Sequence, residues 1–173
     1  MFCEVIMICS VTGNRPKGFV FARERQESKF RIYLDRLNLE LDRLISTGYT
    51  HFITGLADGA DIDFAVCVCE KMKKDKNLIL EAALPYPRNK YSNREIIEYG
   101  MSFYELLDRC TKVTEVSDHY YRGCLHVRNR YMVDSADHLL AIWNGCQAGG
   151  TWYTLNYALK KNKNVGYILL NEI

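Results

Sequence analysis

Short apolar runs alternate with longer amphipathic stretches along almost the whole chain, and no other feature restricts the fold so strongly. Residues 5–8 with their flanks, 51–55, 78–84, 112–116, 138–143 and 165–170 are short runs of β character. Between them lie helix patterns over about 28–46, from 58–61 to about 74, and over 94–109, 127–136 and 149–161. The runs read as continuously apolar, as strands buried on both faces do. Strands alternating with helices predict an α/β fold: a mostly parallel sheet in a three-layer α/β/α sandwich. Local punctuation agrees. Thr12-Gly13-Asn14-Arg15-Pro16 stops the first run, Gly48 ends the first helix, and Pro85-Tyr86-Pro87 halts the third run. Lys71, Lys73 and Lys74 complement the dipole at the end of the second helix.

A chain of 173 residues has the length of one domain, expected over 1–173, and no repeat or linker interrupts it. With 48% hydrophobic and 25% charged residues it can bury a core, which excludes disorder. A net charge of +2 is too small for a protein that coats nucleic acid non-specifically, but it leaves room for a local basic groove. The seven cysteines include no Cys-x-x-Cys pair, and the four histidines lack zinc-ligand spacing. Reduced thiols, no metal site and a cytoplasmic location are therefore expected. Residues 1–8 are too short and too acidic for a signal peptide, and no apolar run approaches the ~18 residues of a membrane span.

Three predicted strands run into glycine-bearing loops. These are Thr12-Gly13-Asn14-Arg15, Thr54-Gly55-Leu56-Ala57-Asp58-Gly59-Ala60-Asp61 and Asn144-Gly145-Cys146-Gln147-Ala148-Gly149-Gly150-Thr151. In a parallel sheet all three fall on the carboxyl edge, where open α/β proteins bind ligands. Glycine lets the backbone approach a phosphate, and the following helix offers unpaired N–H groups at its positive end. Gly149-Gly150-Thr151 is the best phosphate candidate because Thr151 adds a hydroxyl, although glycines can also serve simply as turns and Thr151 as an N-cap. Neither Gly-x-x-x-x-Gly-Lys-[Ser/Thr] nor a clean Gly-x-Gly-x-x-Gly occurs, which argues against a P-loop ATPase or an ordinary dehydrogenase. Asp58 and Asp61 both read as capping residues near a helix start, and Asp61 alternatively as a ribose ligand or a loop-ordering group. Arg128-Asn129-Arg130 is a second phosphate clamp or else a solvated helix face. Tyr120, Tyr121, Trp143 and Trp152 are candidates to stack on a base, against the commoner fate of packing into a core.

At these loops the chain resembles the SLOG superfamily of Rossmann-like domains, which includes DNA-processing protein A and the LONELY GUY phosphoribohydrolases. Thr54-Gly55-Leu56-Ala57-Asp58-Gly59-Ala60-Asp61 is similar to the Ser-Gly-Leu-Ala-x-Gly-x-Asp segment of DNA-processing protein A, Arg128-Asn129-Arg130 to its Arg-Asn-Arg, and Gly13-Asn14-Arg15 to its Gly-Ser-Arg. Gly149-Gly150-Thr151 followed by Thr154, Tyr157 and Ala158, together with the short length, is closer to the stand-alone YpsA-like branch. The resemblance spans Val11 to Val165 and implies a nucleotide-shaped pocket; homodimerisation is also plausible by resemblance. It does not imply catalysis. LONELY GUY enzymes carry Pro-Gly-Gly-x-Gly-Thr-x-x-Glu, whereas Trp152, Tyr153 and Thr154 follow Thr151 here.

The expected function is binding of a nucleotide or nucleotide-derived signalling ligand, as a sensor or sequestering protein without a further cofactor. The expected site comprises Gly13, Asn14, Arg15, Gly55, Gly59, Asp61, Asn129, Arg130, Trp143, Gly149, Gly150 and Thr151. N-glycosidic hydrolysis of nucleoside monophosphates or related nucleotides is the enzyme alternative, with Asp61 as the catalytic candidate in place of the missing glutamate. Single-stranded nucleic-acid binding is the third reading. The low net charge disfavours it.

Overall fold

The structure, a computed structural model, describes residues 6–173. Val5, where the first strand was expected to begin, lies outside them, as does most of the segment weighed as a leader. The chain runs β1 (Met7–Gly13), α1 (Ser28–Ser46), β2 (Tyr49–Thr54), α2 (Ala60–Lys74) and β3 (Ile79–Leu84). A short ribbon, β4 (Glu95–Ile96) and β5 (Met101–Ser102), precedes α3 (Phe103–Arg109) and β6 (Lys112–Glu115). Then come α4 (Cys124–Ser135), β7 (His138–Trp143), α5 (Gly149–Lys160) and β8 (Asn164–Leu169).

Six strands form one sheet in the order β6-β3-β2-β1-β7-β8, and every pairing in it is parallel. The architecture is a three-layer α/β/α Rossmann-like fold. Period-2 alternation assigns the two faces, as β7 illustrates. Leu140 and Ile142 join the large core with Leu37 and Leu41 of α1 and Phe64 of α2, while Leu139 and Ala141 pack with Val133 of α4 and Leu155 and Ala158 of α5.

The expected helices recur with two physical corrections. In α1 the buried stripe is Phe30, Tyr33, Leu37, Leu41 and Leu44, whereas the apolar Ile32 and Leu39 face solvent. The stretch 94–109 is not one helix. Gly100 takes a left-handed φ of +58° and turns the β4–β5 ribbon. Helix α3 starts only after Ser102, which accepts from the Glu105 amide while the Glu105 carboxylate accepts from the Ser102 amide. Among the described residues no helix is long and apolar enough to cross a membrane.

Candidate functional site

All the long helices begin at the carboxyl edge of the sheet. Neighbouring strands β1 and β7 sit where the winding reverses: from β1 the chain proceeds through β2 and β3 to β6, and from β7 to β8 on the other side. Loops leaving such a pair diverge and open a crevice. The crevice holds a cavity of about 410 Å³. Thr12, Gly13, Asn14, Arg15 and Gly18 line it from β1 and its loop, and Ala57 and Asp61 from the loop after β2 and the start of α2. Leu125, His126, Arg128 and Asn129 line it from α4, and Ala148, Gly149, Gly150 and Thr151 from the start of α5.

Arg128 is the unusual member. It is 5% exposed, on the inner stripe of α4 with Cys124 and Met132. Its Nη1 donates to the carbonyls of Gly55 (2.5 Å) and Ala83 (3.1 Å), and its Nε donates to Asn129 Oδ1 (2.9 Å). Gly55 must lack a side chain here, because a Cβ would collide with the guanidinium. Among the described residues no carboxylate comes within the 4.0 Å of an ion pair with Arg128, and Nη2 has no protein acceptor. Burial pulls its pKa below the ordinary value, and the more distant charge of Asp61 opposes that. A desolvated guanidinium without a paired carboxylate costs several kcal/mol, and an anion in the cavity would offset that cost.

Asp61 faces the same space, 7% exposed. Burial pushes its pKa up to about 6, against the attraction of Arg128 and of the nearby Ala57 and Gly55 amides. The loop is held through the Asp61 backbone. Thr54 assists by donating its hydroxyl to the Asp61 carbonyl (3.0 Å) and accepting from the Leu56 amide (3.2 Å), and Leu56 itself is held at a left-handed φ of +49°.

The starts of α4 and α5 both line the cavity. Neither Gly123 before α4 nor Ala148 before α5 supplies a capping side chain, and neither first turn contains an acidic residue. In α4 the Cys124 and His126 amides already donate to the Tyr121 (3.1 Å) and Gly123 (2.9 Å) carbonyls, so the open first-turn amides that suit an anion are those of α5. Asn14 braces the crevice: its Oδ1 accepts from the Asn144 amide (2.9 Å), and Asn144 Nδ2 donates to the Gly18 carbonyl (3.0 Å). Asn129 Nδ2 donates to Thr154 (2.9 Å), clamping α4 to α5.

The cavity thus gathers Gly13, Asn14, Arg15, Asp61, Asn129, Gly149, Gly150 and Thr151 of the expected site, and four expected residues lie outside its lining. Gly55 contributes only through its carbonyl to Arg128. Gly59 lines a neighbouring cavity. Arg130 lies two positions from Arg128, on another face of α4, where its Nε donates to Tyr153 Oη (2.8 Å). Trp143 stacks on Trp152 with ring centres 5.6 Å apart and donates to the Cys146 carbonyl (2.9 Å). Asp58 does not cap α2, whose N-cap is Gly59; it pairs with Arg94 at 2.8 Å. Arg128 was legible in principle, since Cys124 and Met132 bracket it at helical spacing. No sequence signal marks Leu125 or His126 as lining residues.

Among the described residues no group of three or more His, Cys, Asp or Glu side chains could hold a metal ion. The family model for YpsA, described as the YspA SLOG family, matches residues 9–171. No curated protein matches the chain.

Proposed function

The chain belongs to the YspA SLOG family, and on that premise we propose that it binds a nucleotide or nucleotide-derived signalling ligand at the carboxyl edge of its sheet, as a sensor or sequestering protein. Membership of the family fits a nucleotide-related function in general. The observation that carries the finer reading is the buried Arg128 guanidinium, turned toward a cavity it shares with Gly149, Gly150 and the start of α5. A phosphate there accepts from Nη2 of Arg128 and from the first-turn amides of α5, with Thr151 supplying a hydroxyl and Arg15 a second positive charge at the rim. Mass spectrometry of small molecules released from the purified, heat-denatured protein tests this. A phosphate-bearing nucleotide supports it. If none is released and calorimetry detects no binding of nucleoside monophosphates, the reading is wrong.

Asp61 favours a second reading, N-glycosidic hydrolysis. Its carboxyl lines the cavity and titrates near 6, within the range of a general acid. Binding without turnover is preferred because Asp61 is the one carboxylate among the described residues that line the cavity, whereas glycoside hydrolysis generally uses a pair. Incubation with nucleoside monophosphates and with NAD should release no base above a buffer control. Steady release abolished by Asp61→Asn would make Asp61 catalytic and the protein a hydrolase.

A further inference from the structure

Arginine can only donate, and this fixes the direction of a hydrogen-bonded chain behind the cavity. The Nε of Arg128 takes the side-chain oxygen of Asn129 (2.9 Å), so the amide nitrogen of Asn129 must find an acceptor elsewhere. It donates to Thr154 Oγ1 (2.9 Å). The hydroxyl proton of Thr154 in turn goes to the Gly150 carbonyl (2.9 Å). A threonine bonding four residues back is common in helices; here the Asn129 donor leaves its proton no other direction. Every proton in the series points the same way, from the buried guanidinium on α4 to the first turn of α5. Thr154 is 2% exposed and stands outside the cavity lining, so it can act on an anion only through its neighbours.

The peptide unit that carries the Gly150 carbonyl also carries the Thr151 N–H, and in a planar trans peptide the two point in opposite directions. Drawing the carbonyl into the helix toward Thr154 aims the Thr151 N–H out of the N-terminus, where α5 offers it no acceptor of its own and the cavity begins. A hydrogen bond to the carbonyl also polarises the peptide and strengthens that N–H as a donor. Docking of the helices has other supports. On the outer side of the same seam Arg130 donates to Tyr153 (2.8 Å) and Tyr157 donates to Asp134 (3.0 Å). Tyr131 ties α4 to the sheet through Glu81 (2.6 Å), and Val133, Leu155 and Ala158 pack together beneath. Thr154 differs from all of these in joining the guanidinium to the α5 turn.

We propose that Thr154 is a positioning residue of the anion site, coupling the Arg128 guanidinium to the aim of the Thr151 amide through Asn129 and the Gly150 carbonyl; this rests on the anion-site reading above. Valine keeps nearly the shape of threonine and removes the hydroxyl, whereas serine keeps the hydroxyl and removes the methyl group. A positioning role and a packing role therefore predict opposite orders for the two variants. Asn129 is half-buried and its amide can turn to water, so the valine variant should fold.

The test is calorimetric titration of the full chain with ribose 5-phosphate, a phosphate probe without a base, in the wild type, Thr154→Val and Thr154→Ser, beside thermal unfolding without ligand. Thr154→Val should weaken binding about fivefold or more, and Thr154→Ser should stay within about twofold of wild type. The melting temperatures of the two variants should agree within about 5 °C. A valine variant that falls short of that loss, a serine variant as weak as valine, or valine melting lower than serine by more than about 5 °C would make Thr154 a packing residue and overturn the proposal, while wild-type binding keeps the anion site standing. Failure of the wild type to bind the probe would overturn both.

Discussion

Replacing Arg128 by methionine sets the stability of the chain against its affinity for an anion. The substitution keeps a long side chain and removes the charge. It leaves the Gly55 and Ala83 carbonyls without their donor, at about 1–3 kcal/mol for each buried acceptor left unsatisfied. Against this, the folded protein no longer desolvates a guanidinium that lacks a paired carboxylate, a relief of several kcal/mol. The two terms nearly cancel, so stability should change by no more than ~2 kcal/mol in either direction, or roughly 4–8 °C in Tm for a chain of this size. Affinity has no such compensation. Losing one charge-assisted hydrogen bond to a phosphate costs about 1.5–3 kcal/mol, which is roughly 10- to 150-fold in Kd. Thermal unfolding without ligand and calorimetry with ribose 5-phosphate measure the two sides separately. A Met variant that binds as tightly as wild type but melts more than ~10 °C lower would make Arg128 a strut between β2, β3 and α4 and remove the basis for an anion site.

Three other outcomes follow from the same geometry. Gly150→Val should fold, because a Cβ at that position meets nothing within 4 Å, yet its side chain enters the cavity and affinity for ribose 5-phosphate should fall at least tenfold, about 1.4 kcal/mol; unchanged affinity would reduce the Gly149-Gly150 pair to a turn. Arg130→Ala should leave that affinity within twofold, because Arg130 is engaged with Tyr153 outside the cavity; a larger loss by the same titration would return Arg130 to the site. Asp61 has its pKa raised from 3.8 to about 6, first by burial, so its contribution to stability is present below about pH 4 and lost as pH rises through 6. Denaturant unfolding should therefore show Asp61→Asn gaining on wild type between pH 4 and 7, by at most roughly 3 kcal/mol, and a difference that stays flat across this window would refute the buried-charge account.

The strands were legible because each is a short apolar run ended by Gly, Pro or a polar turn, and helix α1 because Gly48 and a 3.6-residue stripe bound it. Strand order was not legible, since a run of β character says nothing of its neighbours, and without the reversal between β1 and β7 the sequence could bring three glycine loops only to one edge. What hydrophobic patterning misjudged lies mostly on that edge. It read residues 94–109 as one helix because a ribbon turned by Gly100 keeps enough apolar residues to imitate the period. It treated Arg128-Asn129-Arg130 as one cluster, although successive helical positions point about 100° apart, so that Arg128 turns inward and Arg130 outward. Charge at an inner helical position, a non-glycine Leu56 at positive φ, and uncapped starts to α4 and α5 each run against the local rule that would stabilise a chain with no ligand. Their concentration around one crevice has a physical meaning. The carboxyl edge gives up local stability in the places where an anion, supplying negative charge and acceptors, would restore it.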